Sequence, residues 1–345
     1  MKTQKFNMLL ITAMLLICYT SANAEQVKKV HKSWPAKKVD ALTVENKFGN
    51  INFINTRDDS VTIDIVVNAE EDGFGSSLAN QIDINFSFEN GEVTAETVFS
   101  GKFKTKYEFS INYTINIPID KDLNVTNKFG NVNLSDLKAN GKFDVSYGSI
   151  FGNALKSPDN ENIEIELKYG SATFDSANRL KANIAYSKFR IGSIGVSTIN
   201  SRFSSFNIDN CDQLLSDSQY DNFYIGTIHS LNTDSKFTDW KIEEISDRGE
   251  FDTQYGGVKV KHVAKNFKKI RVENGFGNIR IGIDNNASYL LRSETNFCDV
   301  KYPKTSPRKY FKEGHRTTIE AVIGEGTPNS EVYIESKYGN VDLME

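Results

Sequence analysis

Two sets of charged residues recur at a fixed spacing and could carry binding chemistry. Five carboxylates, which we call the acidic stripe, stand 17 to 21 residues apart: Asp217, Asp234, Asp252, Glu273 and Glu294. Four cations, which we call the basic stripe, each lie seven residues after one of the last four carboxylates: Lys241, Lys259, Arg280 and Lys301. The acidic stripe suits divalent cations or a cationic partner, and the basic stripe suits an acidic glycan or an anionic envelope surface. The alternative is that the charges serve only solubility and protect strand edges from association.

The sequence offers little material for catalysis. Its four histidines (His31, His229, His262 and His315) are far apart, and no HExxH, CxxC, GxSxG or P-loop pattern occurs. A formal net charge of −4 gives no basic surplus for a nucleic-acid partner. We therefore expect no enzyme, no cofactor, and no catalytic or metal-binding residues. The alternative is a polysaccharide-active β-helix enzyme, which would need clustered carboxylates in a groove walled by long loops.

A repeat must position these charges. The segment Asn-Lys-Phe-Gly-Asn occurs at 46–50 and at 127–131, and it returns as Ser-Lys-Tyr-Gly-Asn at 336–340. Weaker copies lie between, each with one aromatic residue that we call its anchor. The anchors are 17 to 22 residues apart: Phe129, Tyr147, Tyr169, Tyr186, Phe203, Tyr220, Phe237, Tyr255, Phe276 and Phe297. Such self-similarity indicates stacked structural units.

The pattern inside each unit favours strands. Counted from the anchor, the apolar positions −6, −4, −2 and 0 share one parity, while +3 and +5 share the other. Alternation of this kind is typical of half-buried strands, and the parity change predicts a corner at +1 and +2. The fold class is therefore predicted as all-β, a single-stranded parallel β-solenoid with coils of about 17–21 residues and a strand spacing of about 4.8 Å. Parity predicts that the anchors stack inside the core, the alternative being an exposed platform for sugars.

Longer alternating strands in the N-terminal part, at 62–67, 82–88, 93–99 and 109–117, predict an antiparallel cap. We divide the chain into a signal peptide (1–24), a first repeat strand with the antiparallel β cap (25–122), the β-solenoid coils (123–302), and a C-terminal cap with the last repeat (303–345).

The first residues have the form of a signal peptide. Lys2 and Lys5 precede an apolar run over 8–18, and the small-residue motif Ala-Asn-Ala ends at Ala24. An apolar run of this length is too short to span a hydrocarbon core of about 30 Å. We expect export to the periplasm, the outer-membrane surface or the medium, without a transmembrane segment in the mature chain. The alternative to cleavage after Ala24 is a lipoprotein signal in which Cys18 is the lipid-modified residue. Cys211 and Cys298 would remain, and whether they pair is left open.

The order of these motifs resembles the bacterial putative-adhesin family of β-strand-repeat proteins, which is related to the head-GIN type common in Bacteroidetes envelopes. The resemblance covers roughly 40–345 and rests on the Phe-Gly-Asn units, the strand that ends at Ile117-Pro118, and the closing Lys-Tyr-Gly-Asn-Val unit. It implies an extracytoplasmic β-solenoid and no catalytic residues. We therefore expect a non-enzymatic adhesin-like protein that contacts an unknown envelope or extracellular protein or glycan through flat charged faces. The alternatives are the β-helix enzyme and a ligand-free periplasmic structural component.

Overall fold

The computed structural model describes residues 24–70, 78–101, 103, 108–158 and 161–343. The protein is nearly all β and forms a parallel β-solenoid of about nine turns, which confirms the predicted fold class. The predicted signal peptide lies outside the described residues except for Ala24, and so does Cys18.

The N-terminal section builds a largely antiparallel cap. Its strands are β1 (Ala24–Pro35), β2 (Ala41–Lys47), β3 (Ile51–Asn55), β4 (Ser60–Glu70), β5 (Ile82–Glu89), β6 (Glu92–Phe99) and β7 (Phe109–Ile117), with a 3-10 helix at Ala36–Lys38. Strands β1 and β7 flank β4 in antiparallel pairings, and β5 pairs with β6 in the same way. The strands β2 and β3, which surround the first Phe-Gly-Asn segment, pair in parallel with the first two solenoid strands, β8 (Asp122–Lys128) and β9 (Val132–Asn133). The first repeat therefore stacks directly on the second.

Each solenoid coil has one strand before its anchor and one after it, and each strand pairs in parallel with its counterpart in the next coil. In the short coils of the middle, the strand after one anchor and the strand before the next join in a single strand of 15 or 16 residues. The first part of such a strand therefore belongs to the strands after the anchors, and its last part belongs to the strands before them. The solenoid strands are β8 (Asp122–Lys128), β9 (Val132–Asn133), β10 (Gly141–Ser146), β11 (Ser149–Leu155), β12 (Ile163–Lys168), β13 (Ser171–Ala185), β14 (Lys188–Arg202), β15 (Ser205–Gln219), β16 (Asn222–Lys236), β17 (Asp239–Gln254), β18 (Val258–Val263), β19 (Lys269–Asn274), β20 (Ile279–Ile283), β21 (Tyr289–Asn296) and β22 (Val300–Lys301).

The last unit does not stack at the end of the solenoid. It comprises β23 (Lys309–Glu313), β24 (Arg316–Ile323), β25 (Ser330–Ser336) and β26 (Val341–Asp342). Strand β25 pairs in parallel with both β19 and β21, so the final repeat is inserted between the coils of Phe276 and Phe297. The strands β24 and β23 then add to β21 as an antiparallel hairpin.

The strands before the anchors form one layer and the strands after the anchors form a second layer. The core lies between these two layers. Position +3 is buried as predicted in every coil from that of Phe129 to that of Phe276, and Val300 in the Phe297 coil is half-buried. This position supplies Phe206, Phe223 and Trp240 on three consecutive coils. Their ring centroids are 4.2 Å and 4.1 Å apart, so they form a short internal stack. Burial of such side chains contributes roughly 25 cal/mol per Å² of apolar surface removed from water.

The prediction that the anchors line this core is wrong. The side chains of the ten anchors, from Phe129 to Phe297, are 40–53% exposed. Nearly all of these residues adopt left-handed backbone, with φ of 52° at Phe203 and 59° at Tyr220. The left-handed residue itself breaks the strand alternation and turns its side chain to solvent. The corner therefore begins at position 0, one residue earlier than predicted.

Candidate binding surface

An exposed ladder of stacked aromatic rings follows the edge where the two strand layers meet. Neighbouring ring centroids are 4.7–5.3 Å apart, with interplanar angles of at most 13°. In spatial order the rungs are Phe48, Phe129, Tyr147, Tyr169, Tyr186, Phe203, Tyr220, Phe237, Tyr255, Phe276, Tyr338 and Phe297.

The ladder exposes ring edges rather than ring faces. Each interior ring is covered on both faces by its neighbours. At the ends, Phe99 and Phe109 pack against Phe48, and His315 stacks on Phe297 at 4.4 Å. A sugar that stacks on an aromatic residue needs an open face, as does any partner of the π-system. The ladder therefore offers no such platform, although its side chains are exposed.

Close backbone approach below the ladder explains the glycine that follows several anchors. A Cβ atom on Gly148 would lie 2.0 Å from the carbonyl oxygen of Gly130 in the preceding coil. In the middle coils this position carries buried polar side chains that bond the next coil. The Ser187 amide donates to Ser204 Oγ at 3.2 Å, and the Ser204 amide donates to Asp221 Oδ1 at 2.6 Å. These contacts fix the corner of each coil.

Asp221 is the one of these corner residues that can carry a charge, and it is almost fully buried. Its carboxylate accepts hydrogen bonds from Ser201 Oγ at 2.7 Å and from the amides of Ser204 and Gln219. Burial raises the pKa of Asp221 to about 6, although these hydrogen bonds oppose the shift. The group lies inside the corner and does not contribute to the outer surface.

The structure brings the acidic stripe together on the strands before the anchors. Asp217, Asp234, Asp252 and Glu273 are direct register partners on four consecutive strands. Glu335, on the inserted strand β25, then separates Glu273 from Glu294. The row therefore holds six adjacent carboxylates instead of the five that were predicted.

The two ends of this row differ in whether basic side chains neutralise the carboxylates. Arg271 contacts Glu273, and Arg316 contacts Glu294 at 2.6 Å. The carboxylates of Asp217, Asp234 and Asp252 have no hydrogen-bond or ion-pair partner among the described residues. Within the described ranges, no three His, Cys, Asp or Glu residues are grouped so that they could hold a metal ion. The stripe is a line of separate charges.

The basic stripe lies on the strands after the anchors, on the other layer. Lys241, Lys259 and Arg280 are register partners on consecutive strands and are exposed. Asp342 of the inserted strand β26 lies between Arg280 and Lys301. The four cations of the stripe have no ion-pair partner in the described part of the chain.

The row of the basic stripe continues toward the N-terminus through residues that the sequence reasoning did not select. Tyr224, Asn207 and Arg190 are the successive register partners beyond Lys241. They occupy the same +4 position as the stripe, so the repeat register was the signal that could have identified them. These three residues and Lys241 border a shallow open groove of about 590 Å³.

The two cysteines of the described chain are free thiols. Cys211 is buried, and burial raises the pKa of its thiol to about 11. Cys298 is partly exposed. The question left open by the sequence is therefore answered in favour of two unpaired residues in this structure.

Among the described residues, no helix has the length and apolar character required to cross a membrane. No family model and no curated protein matches the sequence. Solved structures do match at low similarity. One is named a putative adhesin from Bacteroides fragilis, with 9% identity, a TM-score of 0.36, and coverage of 92% of this chain and 97% of that chain.

A second solved structure, named a putative adhesin from Parabacteroides distasonis, has 12% identity and a TM-score of 0.31, and covers 92% of this chain and 97% of that chain. A third, named a putative lipid binding protein from the same species, has 12% identity and a TM-score of 0.35, with 73% and 93% covered. These values are too low to support an inference about function, and the β-solenoid rests on the strand pairings above.

Proposed function

We propose that the protein is a non-enzymatic, exported, adhesin-like β-solenoid that contacts an envelope or extracellular partner through its flat charged faces. The basic stripe is the contact for an anionic partner. The observation that carries the proposal is the row of exposed cations Lys241, Lys259 and Arg280, which lack an intramolecular acceptor in the described chain.

Electrostatics supports a binding role for this row. Adjacent strands lie about 4.8 Å apart, so like charges that face one another across them repel. An anionic polymer or surface would relieve this repulsion and release counterions, and a concentrated row of one sign also steers an oppositely charged partner. Solubility alone would be served equally well by mixed charges on the same strands.

Export is part of the proposal because of the sequence features of residues 1–24, which have a basic start, an apolar run and a small-residue cleavage motif. Cell fractionation of the native host, with the mature N-terminus read by mass spectrometry, tests this part. A mature chain that begins at Glu25 supports it, and an uncleaved cytoplasmic chain would contradict it.

Charge reversal tests the binding surface. The mature chain 25–345 would be passed over beads that carry an acidic polysaccharide or neutral dextran, at low and high salt. We expect retention on the acidic beads alone, lost in high salt. The variant Lys241→Glu/Lys259→Glu/Arg280→Glu should lose retention. The matched control Lys128→Glu/Lys142→Glu/Lys236→Glu, which changes the net charge equally at exposed positions on the other layer, should keep it. Equal behaviour of both variants, with circular dichroism showing that both are folded, would refute the assignment.

A further inference from the structure

The groove beside the basic stripe has a floor of mixed polar and apolar surface, and cations lie on either side of its middle. It crosses the strands β13 to β17, and its lining includes Lys188 and Arg190 at one end and Lys241 at the other. Asn207 and Tyr224 lie between them on the two intervening strands. Because successive strands are about 4.8 Å apart, Arg190 and Lys241 are separated by about 14 Å along the solenoid axis.

The charges of the groove are available to a ligand. Lys188, Arg190 and Lys241 have no ion-pair partner among the described residues. One carboxylate, that of Asp239, is present in the lining, and its Oδ1 accepts the amide of Gly257 at 2.9 Å. The lining therefore carries a surplus of positive charge, and the row extends this charge to Lys259 and Arg280.

The middle of the groove suits a neutral, hydroxyl-rich group. The side chain of Tyr224 is 45% exposed, and among the described aromatic residues no ring stacks on it. This distinguishes it from the ladder, whose ring faces are covered. Its hydroxyl makes only a long contact of 3.4 Å with Glu243. Asn207 adds an amide whose nitrogen can donate to hydroxyl groups, whereas its Oδ1 is buried and has no hydrogen-bond partner among the described residues.

We infer that this groove, together with the basic stripe, binds one extended acidic polysaccharide that runs parallel to the solenoid axis. Lys188 and Arg190 contact its carboxylate or sulfate groups at one end, and Lys241 and Lys259 contact them at the other. Tyr224 and Asn207 face the sugar rings between these groups. The inference rests on the proposed function and names the chemical class of its partner.

A single-stranded nucleic acid fits the same groove less well. Proteins that bind such strands without sequence preference stack successive bases on several exposed aromatic faces. Among the described residues that line the groove, Tyr224 is the one exposed aromatic side chain, because Phe189, Phe206 and Phe223 are buried. The rings of the nearby ladder cover one another. A chain of acidic sugars can present carboxylates to the cations Arg190 and Lys241 and ring hydroxyls to Asn207 and Tyr224, which lie between them.

Calorimetric titration of the mature chain 25–345 tests the inference. The probes are oligogalacturonate chains long enough to span the groove, a neutral dextran fragment of equal length, and an oligothymidylate. We expect salt-sensitive binding of the oligogalacturonate, none of dextran, and weaker binding of the oligothymidylate. The variant Arg190→Ala/Tyr224→Ala should lower the oligogalacturonate affinity about tenfold or more. Lys142→Ala, on the other layer, should leave it unchanged.

Failure of this inference can be separated from failure of the proposed function. If Arg190→Ala/Tyr224→Ala binds like the wild type while Lys259→Glu/Arg280→Glu does not, the groove is excluded and the basic stripe remains the contact. If oligothymidylate binds as tightly as oligogalacturonate, the glycan assignment is overturned. If no anionic probe binds the wild type at low salt, the basic stripe itself is not the binding surface.

Discussion

The ring of Tyr220 lies on the ring of Phe203 with centroids 4.8 Å apart and planes only 1° apart, and both residues have left-handed backbone. A bulky residue in that conformation carries a strain of roughly 1–2 kcal/mol. Each ring pair returns about 0.5–1.5 kcal/mol beyond the area that it buries. The ladder therefore combines a strained corner with a stack that offsets the strain, and its exposed edge does not by itself indicate a ligand.

Removal of one rung should destabilise the coil despite the relief of strain. Tyr220→Gly removes two ring stacks and the associated buried area, and it frees the left-handed backbone. We expect a net loss of about 1–2 kcal/mol in the free energy of unfolding, measured by denaturant titration. Tyr220→Phe keeps the stack and should stay within about 0.5 kcal/mol of the wild type. A Gly variant more stable than the wild type would mean that strain outweighs stacking.

Glycine is required at the corner only where the coils touch. Gly148→Ala would place a Cβ atom 2.0 Å from the Gly130 oxygen, so the backbone must move. We expect a loss of about 2 kcal/mol or more. Gly275→Ala is the matched control, because its nearest neighbour, Gln254 Cγ, would be 3.8 Å away. The two denaturation midpoints should therefore differ clearly, and equal midpoints would refute the close approach.

Asp221 should make the protein less stable as the pH rises from about 4 to about 6. Its pKa is about 6 in the folded chain, against an ordinary value of 3.8, so the folded state binds more protons than the unfolded state in this window. The contribution of Asp221 to the free energy of unfolding is therefore largest below about pH 4, decreases as the pH rises through about 6, and is constant above that pH. Asp221→Asn should flatten this part of the profile of denaturation midpoint against pH. The same slope in both proteins would contradict the account.

The two thiols should react at very different rates. Iodoacetamide at pH 8 should modify the partly exposed Cys298 first and leave Cys211 unmodified until the chain unfolds, because burial raises the pKa of Cys211 to about 11. Peptide mass spectrometry against time reads both sites in one experiment, with the denatured chain as the control. Rapid labelling of Cys211 in the folded protein would show that its coil opens.

The sequence was sufficient for the fold class and for the rows of charge, because the period of the repeat places equivalent residues on adjacent strands. It was insufficient for the anchors, since alternation alone assigns Phe203 and Tyr220 to the core. A left-handed aromatic residue has no distinct sequence signature, as this conformation is mostly found at Gly or Asn. The insertion of β25 between β19 and β21 could not be predicted either, because similar repeats can stack in more than one order.

The most direct test of the account is a lysine footprint of the wild-type chain 25–345 with and without polygalacturonate. Acetylation of each lysine would be read by mass spectrometry at low salt. We predict that the polymer protects Lys188, Lys241 and Lys259, while Lys142 and Lys236, on the strands before the anchors, keep their reactivity. Protection spread evenly over both layers, or no protection of Lys241 and Lys259 at a saturating concentration of the polymer, would contradict the central claim that the basic stripe is the binding surface.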